Sequence, residues 1–233
     1  MDDPLPRVKQ ETPFLELSAP PRYRRPVQTT LFLVRCAATE WAEPRRFVGR
    51  RDLPLSDDGR AQARATADLL AGVRVTEVLS SPLIRAVETA EAVAAPHRIQ
   101  VARDPRLIAL HAGSWEGKTR DELATDAAWR AHVRDPMQNP IPAGEPLSAL
   151  RDRVLASVHQ ALEDNQIGAT IVMVTHASAV GVLLAHFLGM SLHNHHQLPV
   201  GHGSISILRF DSDLVPPRIL AINHGPQLAQ ILR

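Results

Sequence analysis

Three side chains that follow predicted strands are of the right types to bind an anion together. Arg35 ends an apolar run, Arg85 follows the segment VTEVLSS, and His176 follows TIVMVT. In open α/β sheets, ligands bind outside the carboxyl ends of the strands. Two guanidinium groups match the geometry of phosphate oxygens, and an imidazole supplies a further nitrogen. The spacing therefore predicts a phosphate pocket of Arg35, Arg85 and His176. When each residue is considered singly, an equally good explanation is that the arginine lies at a strand end with its charged group in water.

The elements that would position these residues are indicated by hydrophobic periodicity. Strands are predicted at residues 29–35, 75–81, 99–102, 170–175, 204–210 and 218–223, and helices at 57–70, 82–95, 146–164 and 179–188. Ser56 is placed to cap the first helix, and Pro82 is expected in the first turn of the second. The alternation predicts a three-layer α/β/α fold with a mostly parallel central sheet, in which the last two strands are neighbours.

The length of 233 residues favours one such domain, which we place at residues 29–233. Within it, residues 104–145 are rich in proline and glycine, and this composition predicts an irregular cap with one helical stretch near 120–133. Residues 1–28 have no periodic hydrophobic face, so we expect an irregular extension there.

Composition narrows the class of partner. The chain is 44% hydrophobic and 22% charged, which is ordinary for a globular protein. Its net charge of +1 does not indicate binding to nucleic acid or to an anionic membrane, and neither partner is expected. The longest apolar run, residues 177–190, is too short to cross a bilayer, and the first residues lack the core of a signal peptide. The single cysteine, Cys36, excludes an internal disulfide framework, and we expect a cytoplasmic location.

Four motifs, in order along the chain, resemble those of the histidine phosphatase superfamily in its phosphoglycerate-mutase-like branch. They are LVRCAATEW with the later LPLSDDGRAQA, then SSPLIRAVETAE, GSWEGKT and VTHASAVGVLLAHFLG. The resemblance spans about residues 29–224 and implies the same fold. It also implies the family's chemistry, in which a phosphoryl group is transferred to the histidine of an R-H-G motif. In that chemistry a glutamate acts as general acid, and two arginines and a second histidine hold the phosphoryl oxygens.

Only half of the site that the resemblance implies is present. Arg35, Arg85 and His176 match the phosphate-holding residues. Cys36 stands at the place of the nucleophilic histidine, and Ala109 at the place of the general acid. The other departures are alanines: Ala37 and Ala177 each stand for a glycine, and Ala42 for an asparagine that is often found there.

This combination predicts binding without efficient turnover. Departure of an alkoxide requires a proton, which an alanine cannot donate, and loss of a nucleophile commonly slows an enzyme by about 10⁴–10⁶. The sequence also contains residues that could replace the missing nucleophile and the missing acid. Cys36, among cations that favour a thiolate, could attack phosphorus, and His111 or Glu116, both near Ala109 in the sequence, could supply the proton.

We therefore predict a catalytically impaired family member that keeps a pocket for a phosphorylated small molecule or a phosphoprotein. The alternative is an active phosphomonoesterase whose mechanism is rearranged around Cys36 or His176. A third class is a structural or interaction protein that has abandoned the pocket. The sequence names no ligand and leaves a homodimer open.

A histidine-rich segment and an arginine-rich segment can each be interpreted either as part of a functional site or as a solvated loop. The segment HNHHQLPVGH contains His193, His195, His196 and His202. Cys36 and His176, with His202 or His111, could bind zinc, but no tight ligand spacing appears. A solvated loop is the favoured interpretation, and no metal ion or other cofactor is predicted. The second cluster, Arg45, Arg46, Arg50 and Arg51, could face an acidic ligand, although a solvated loop is again favoured.

Overall fold

The structure is a computed structural model that describes residues 28–42, 45–166, 168–211 and 214–225. In these ranges one sheet contains six strands: β1 (Gln28–Arg35), β2 (Glu77–Ser80), β3 (Val101–Arg103), β4 (Thr170–Thr175), β5 (Ile205–Asp211) and β6 (Leu214–His224). Their order in the sheet is β3-β2-β4-β1-β5-β6. Strands β1 to β4 run parallel, β5 is antiparallel to β1, and β6 is antiparallel to β5. The predicted, mostly parallel sheet and its paired last strands are confirmed.

Alternate residues of the central strands enter two separate cores. Leu31 and Leu33 of β1 pack in one cluster of buried side chains, and Phe32 and Val34 pack in the other. Because successive side chains of a strand point to opposite faces, both faces of β1 must be covered. The near-continuous apolar run in the sequence is therefore that of a central strand.

Helices cover the two faces. In the described ranges they are α1 (Asp57–Leu70), α2 (Ile84–Ala94), α3 (Arg120–Leu123), α4 (Ala127–Arg134), α5 (Leu147–Asp164) and α6 (Ala177–Phe187). Buried residues of α1 and α2 join the cluster of Phe32 and Val34, whereas those of α5 and α6 join the cluster of Leu31 and Leu33. This arrangement is the predicted three-layer α/β/α fold.

Three local predictions are wrong. Pro82 lies before α2 and not in its first turn, because Leu83 is the N-cap residue and the helix begins at Ile84. The stretch predicted near 120–133 is two helices, because Asp126 accepts hydrogen bonds from two backbone N–H groups and so caps a second start. Helix α6 begins at Ala177, two residues early, since extended His176 already serves as its N-cap.

The extension predicted at residues 1–28 lies outside the described residues, except for Gln28, which begins β1. Among the residues that are described, no helix is both long enough and apolar enough to span a membrane.

Candidate functional site

The carboxyl ends of three parallel strands meet at one edge of the sheet. Arg35 of β1 is in register with Thr175 of β4, and Ser80 of β2 is in register with Val174. The residues that follow these strand ends are thereby brought side by side. A cavity of about 900 Å³ opens at this edge, and Arg35, Arg85 and His176 all line it. The structure thus brings together the three residues that sequence spacing singled out.

His176 links two of the strand ends. Its Nδ1 lies 3.4 Å from the Sγ of Cys36, and its Nε2 lies 2.8 Å from the Oγ of Ser81. Burial lowers the pKa of His176 well below its usual range, and the charges of Arg85 and Arg35 lower it further. The imidazole is therefore neutral near pH 7 and has one N–H donor and one acceptor nitrogen.

Arg35 is held at the cavity by groups that carry no charge. Its guanidinium contacts the carbonyl oxygen of Val200 and the Nε2 of His202. Burial lowers the pKa of Arg35, the neighbouring Cys36 partly offsets this, and the charge of Arg85 lowers it further. Burial, followed by the charges of both arginines, lowers the pKa of His202 to about 3. His202 is therefore a neutral contact that leaves the positive charge of Arg35 uncompensated.

Arg85 lies in the first turn of α2 and is 4% exposed. Its guanidinium donates to the carbonyl oxygens of Arg51 at 2.7 Å and Gly49 at 2.8 Å. Glu116 supports the same loop, since its Oε1 accepts from the backbone N–H of Arg50 at 2.9 Å. These contacts orient the guanidinium while leaving its charge uncompensated.

The cavity lining is strongly biased in charge. Its described residues include five arginines and five histidines and no aspartate or glutamate. They are Arg35, Arg45, Arg46, Arg85 and Arg120, with His132, His176, His195, His196 and His202. Ala177 and Ser178, at the start of α6, also line the cavity, and a helix N-terminus favours a bound anion. The arrangement can hold an anion, but it supplies no carboxylic acid.

Ala109 lies in the cavity lining, so the place of the expected general acid faces the same space as Cys36. The carbonyl oxygen of Ala109 accepts from the Nε of Arg50 at 3.2 Å and from an Nη of Arg153 at 3.1 Å. The alanines at 37, 42 and 177 line the cavity as well.

The two residues considered as substitute proton donors are placed elsewhere. Neither His111 nor Glu116 is among the residues that line the cavity. The carboxylate of Glu116 faces the 49–51 loop, with Oε1 also 3.3 Å from the backbone nitrogen of Ala112. Its position fits a support of the loop that orients Arg85 and argues against a donor to a leaving group.

The two clusters assigned to solvated loops are partly built into the site, contrary to that prediction. Residues Leu192–Gln197 form a 3-10 helix, and the histidines at 195, 196 and 202 line the cavity. Arg45 and Arg46 also line it, whereas Arg50 and Arg51 pair with the carboxylates of Glu145 and Glu116. Among the described residues, no three His, Cys, Asp or Glu side chains are grouped so that they could hold a metal ion.

Sequence reasoning missed three contacts of the site. Ser81, the partner of His176, was visible only as the end of a strand. His202 was considered as a metal ligand and instead contacts Arg35 from 167 positions away. Glu116 was considered as an acid and instead holds a loop. Each contact joins segments far apart in the chain, so no local pattern indicates it.

Fold and site together define a class of protein: a three-layer α/β/α domain with an arginine- and histidine-lined cavity at the carboxyl edge of its sheet. The sequence profile of the histidine phosphatase superfamily (branch 1) matches residues 31–223. The chain belongs to this superfamily, as its motifs predicted.

Individual relatives agree with this assignment. The probable phosphoglycerate mutase GpmB of Serratia proteamaculans (strain 568) is 33% identical over 178 residues, which are 76% of this chain and 82% of that protein. YhfR of Bacillus stearothermophilus superposes with a TM-score of 0.77 at 31% identity, covering 83% of this chain and 96% of its own. A mutant phosphoserine phosphatase of Entamoeba histolytica, solved with phosphoserine, superposes with a TM-score of 0.77 at 25% identity, covering 86% and 99%. The chain is thus similar to mutases and phosphatases alike.

Proposed function

We propose that the cavity binds the phosphate group of a phosphorylated ligand and that the protein turns such ligands over feebly at most. The observation that carries this proposal is the charge of the lining, whose described residues include five arginines and no carboxylate. The arginines favour binding of an anion. The lack of a carboxylic acid in the lining leaves an anionic leaving group without a proton donor.

The binding half of the proposal rests on two cations that have only neutral partners. Arg35 contacts a carbonyl oxygen and a neutral imidazole, and buried Arg85 contacts two carbonyl oxygens. Burying a charge is costly unless an opposite charge compensates it. A phosphate dianion supplies that charge, and its oxygens match the planar fork of arginine. The N-terminus of α6 adds donors on the same side.

The proposal that turnover is feeble rests on the two proton transfers that the reaction requires. For Cys36 to attack, its thiol must lose a proton, and the nearest nitrogen is Nδ1 of His176 at 3.4 Å. Burial lowers the pKa of His176, so an imidazolium there is disfavoured and the ring is a poor base. An alkoxide leaving group is strongly basic, and it would have to depart without the acid that Ala109 replaces.

One observation favours an active phosphomonoesterase as the second candidate: the contact between Cys36 and His176, which is the geometry of a nucleophile beside a base. In that mechanism the thiol proton passes to Nδ1 of His176, and a bond forms between Sγ and phosphorus while the ester P–O bond breaks. The released oxygen takes a proton from water, and the hydroxide left behind takes the proton from His176. A second water then cleaves the P–S bond to give orthophosphate and the thiol. Only esters with stable leaving groups, such as phenols with a pKa of about 10, would react well. His176 as the nucleophile is disfavoured because both of its ring nitrogens have partners.

Calorimetric titration with orthophosphate tests the binding half. We expect the wild-type protein to bind, and Arg85→Ala to weaken binding by about tenfold to a hundredfold, since a charge-assisted hydrogen bond contributes about 1.5–3 kcal/mol. Arg64→Ala, at an exposed position on α1 outside the cavity lining, is the matched control and should bind as wild type does.

Assays with p-nitrophenyl phosphate and 3-phosphoglycerate across pH test the impaired half. We expect turnover far below the ordinary range of about 1–10³ s⁻¹ for both compounds. Ordinary turnover would establish the second candidate instead. Absence of both binding and turnover would leave the structural or interaction class of function.

A further inference from the structure

One part of the cavity lining is an aromatic wall, formed by Phe47, Trp115, Trp129 and His132. The ring centroid of Trp115 lies 5.2 Å from that of Trp129 and 4.9 Å from that of His132, and Phe47 lies 5.3 Å from Trp129. These pairs meet edge to face, which is a favourable arrangement for aromatic rings. The rings of the wall therefore hold one another in position.

In the part of the chain that the structure describes, four of the seven tryptophan and phenylalanine residues line the cavity. The chain has three tryptophans, five phenylalanines and one tyrosine. All three tryptophans line the cavity, as does one phenylalanine. Trp115 is 1% exposed, and packing within its own cluster is sufficient to explain it. Phe47 and Trp129 are only half-buried, so their rings keep surface that a ligand can cover.

The size of the cavity indicates a ligand larger than a three-carbon phosphate. Pockets for ligands of drug size occupy about 300–1,000 Å³, and the volume here is about 900 Å³. A small aliphatic ester would occupy the phosphate end and leave the aromatic wall uncovered. A ligand that covers the wall would remove the exposed apolar surface of both half-buried rings from water.

An aromatic group fits this wall better than an alkyl chain does. Aromatic pairs gain stabilisation beyond the burial of apolar area alone. Arg45 and Arg120 also line the cavity and are exposed, and guanidinium groups stack on aromatic faces. Ring and cation can therefore hold a planar group from different sides.

We propose that the ligand of this cavity is a phosphate ester of an aromatic group, with its phosphate at Arg35 and Arg85 and its ring against Phe47 and Trp129. This inference rests on the phosphate-binding function proposed above. It names the substrate class for which an absent general acid matters least, because phenols depart more readily than aliphatic alcohols.

Calorimetry with phosphonates, which are not hydrolysed, tests the ligand class on the wild-type protein. We expect 1-naphthylmethylphosphonate to bind about tenfold or more tightly than methylphosphonate, and more tightly than octylphosphonate. Equal affinity for all three compounds would overturn the inference while orthophosphate binding still stood. Octylphosphonate binding as tightly as the naphthyl compound would replace the aromatic group by an alkyl chain. If orthophosphate itself does not bind, the proposed function fails first.

Substitutions in the aromatic wall test where the aromatic ring of the ligand binds. Trp129→Leu should weaken 1-naphthylmethylphosphonate by about tenfold and leave orthophosphate affinity unchanged. Phe210→Leu is the matched control, because Phe210 packs on Phe187 outside the cavity lining, and it should change neither affinity. The readout is the ratio of the two affinities within one protein, which partial destabilisation does not mimic. Phe47→Leu serves as a second variant, and an unchanged ratio in both would overturn the placement.

Discussion

At position 36 a thiol stands where the family resemblance predicts an imidazole, beside His176 and in the same cavity lining as Arg35 and Arg85. The adjoining Ala37 is compatible with the loop, although glycine is expected there. Its backbone φ is not positive, and its N–H donates to the Oγ1 of Thr89 at 3.1 Å. Its methyl group packs against Leu55 and Ala63. The loop therefore has no conformational need for glycine, so the proposed loss of turnover is ascribed to the nucleophile and the acid alone.

Restoring both missing groups tests this conclusion. We expect Cys36→His combined with Ala109→Glu to raise p-nitrophenyl phosphate hydrolysis at least about 10²-fold above wild type, because both positions line the cavity where the arginines orient phosphate. Each single change should do much less, since nucleophile and acid act as one unit. The assay is steady-state phosphate release. A folded, phosphate-binding double variant that stays inactive would show that more than these two groups has been lost.

Activity that depends on the thiol gives an independent measurement. If Cys36 is the nucleophile of any residual turnover, alkylation and Cys36→Ser should both abolish it, since a serine hydroxyl is hardly ionised near neutrality. If it is not, Cys36→Ser should leave orthophosphate binding and the residual rate unchanged. Because the alternatives differ in rate and not in binding, calorimetry on the same variant controls for damage to the pocket.

At the scale of elements, α1 holds the loop that follows the first strand. The carbonyl oxygen of Ala38 accepts from the backbone N–H of Ser56 at 3.0 Å. The backbone N–H of Ala38 donates to Oε1 of Gln62, also at 3.0 Å. A Cβ added to Gly59 would lie 1.9 Å from that carbonyl oxygen. The start of α1 thus fixes the backbone next to Cys36, and the serine, glycine and glutamine of the motif LPLSDDGRAQA all lie against Ala38.

This contact predicts a large difference between two glycines. Gly59→Ala should cost about 3 kcal/mol or more, because the new methyl group meets backbone that cannot move freely, and it should weaken orthophosphate binding. Gly72→Ala is the control: nothing lies within 4 Å of a Cβ at this exposed position, and stability should change by less than about 1 kcal/mol. Urea denaturation measures both. Equal, small effects would mean that α1 does not hold the loop.

Elements were predictable from the sequence where the signal is local. The Ser56 cap is one example: its Oγ accepts from the Gly59 N–H at 3.0 Å. The long amphipathic helix α5, observed at Leu147–Asp164, is another. Prediction failed where a cap or a tertiary contact decides, as at the separate starts of α3 and α4. The residues predicted to bind phosphate lie in one cavity, and the sequence could group them because they follow strands or motifs. The aromatic wall, assembled from distant turns and helices, carries no sequence periodicity.

At the scale of the molecule, the site is a concentration of positively charged side chains in a nearly neutral protein. The net charge is +1, yet the described lining of one cavity includes five arginines. Buried histidines near these arginines stay neutral to limit the repulsion, which couples folding to pH. Stability and ligand binding therefore depend on the same groups.

The last prediction follows from this coupling. The pKa of His202 is about 3 in the folded protein, and that of His176 is also lowered, whereas an unfolded histidine titrates near 6.5. Between these values the unfolded chain binds more protons, so this contribution to stability is complete above about pH 6.5 and is lost as the pH falls. Each histidine adds a slope of up to about 1.4 kcal/mol per pH unit.

Urea denaturation of wild type and His202→Gln between pH 5 and 8 measures this slope. Below about pH 6.5 we expect the variant to have the shallower slope, by up to about 1.4 kcal/mol per pH unit, because glutamine cannot take up a proton on unfolding. At pH 8 both histidines are neutral in either state, so the difference there reports packing alone and serves as the control. Equal slopes for the wild type and His202→Gln would show that His202 takes up no proton on unfolding and would contradict the prediction.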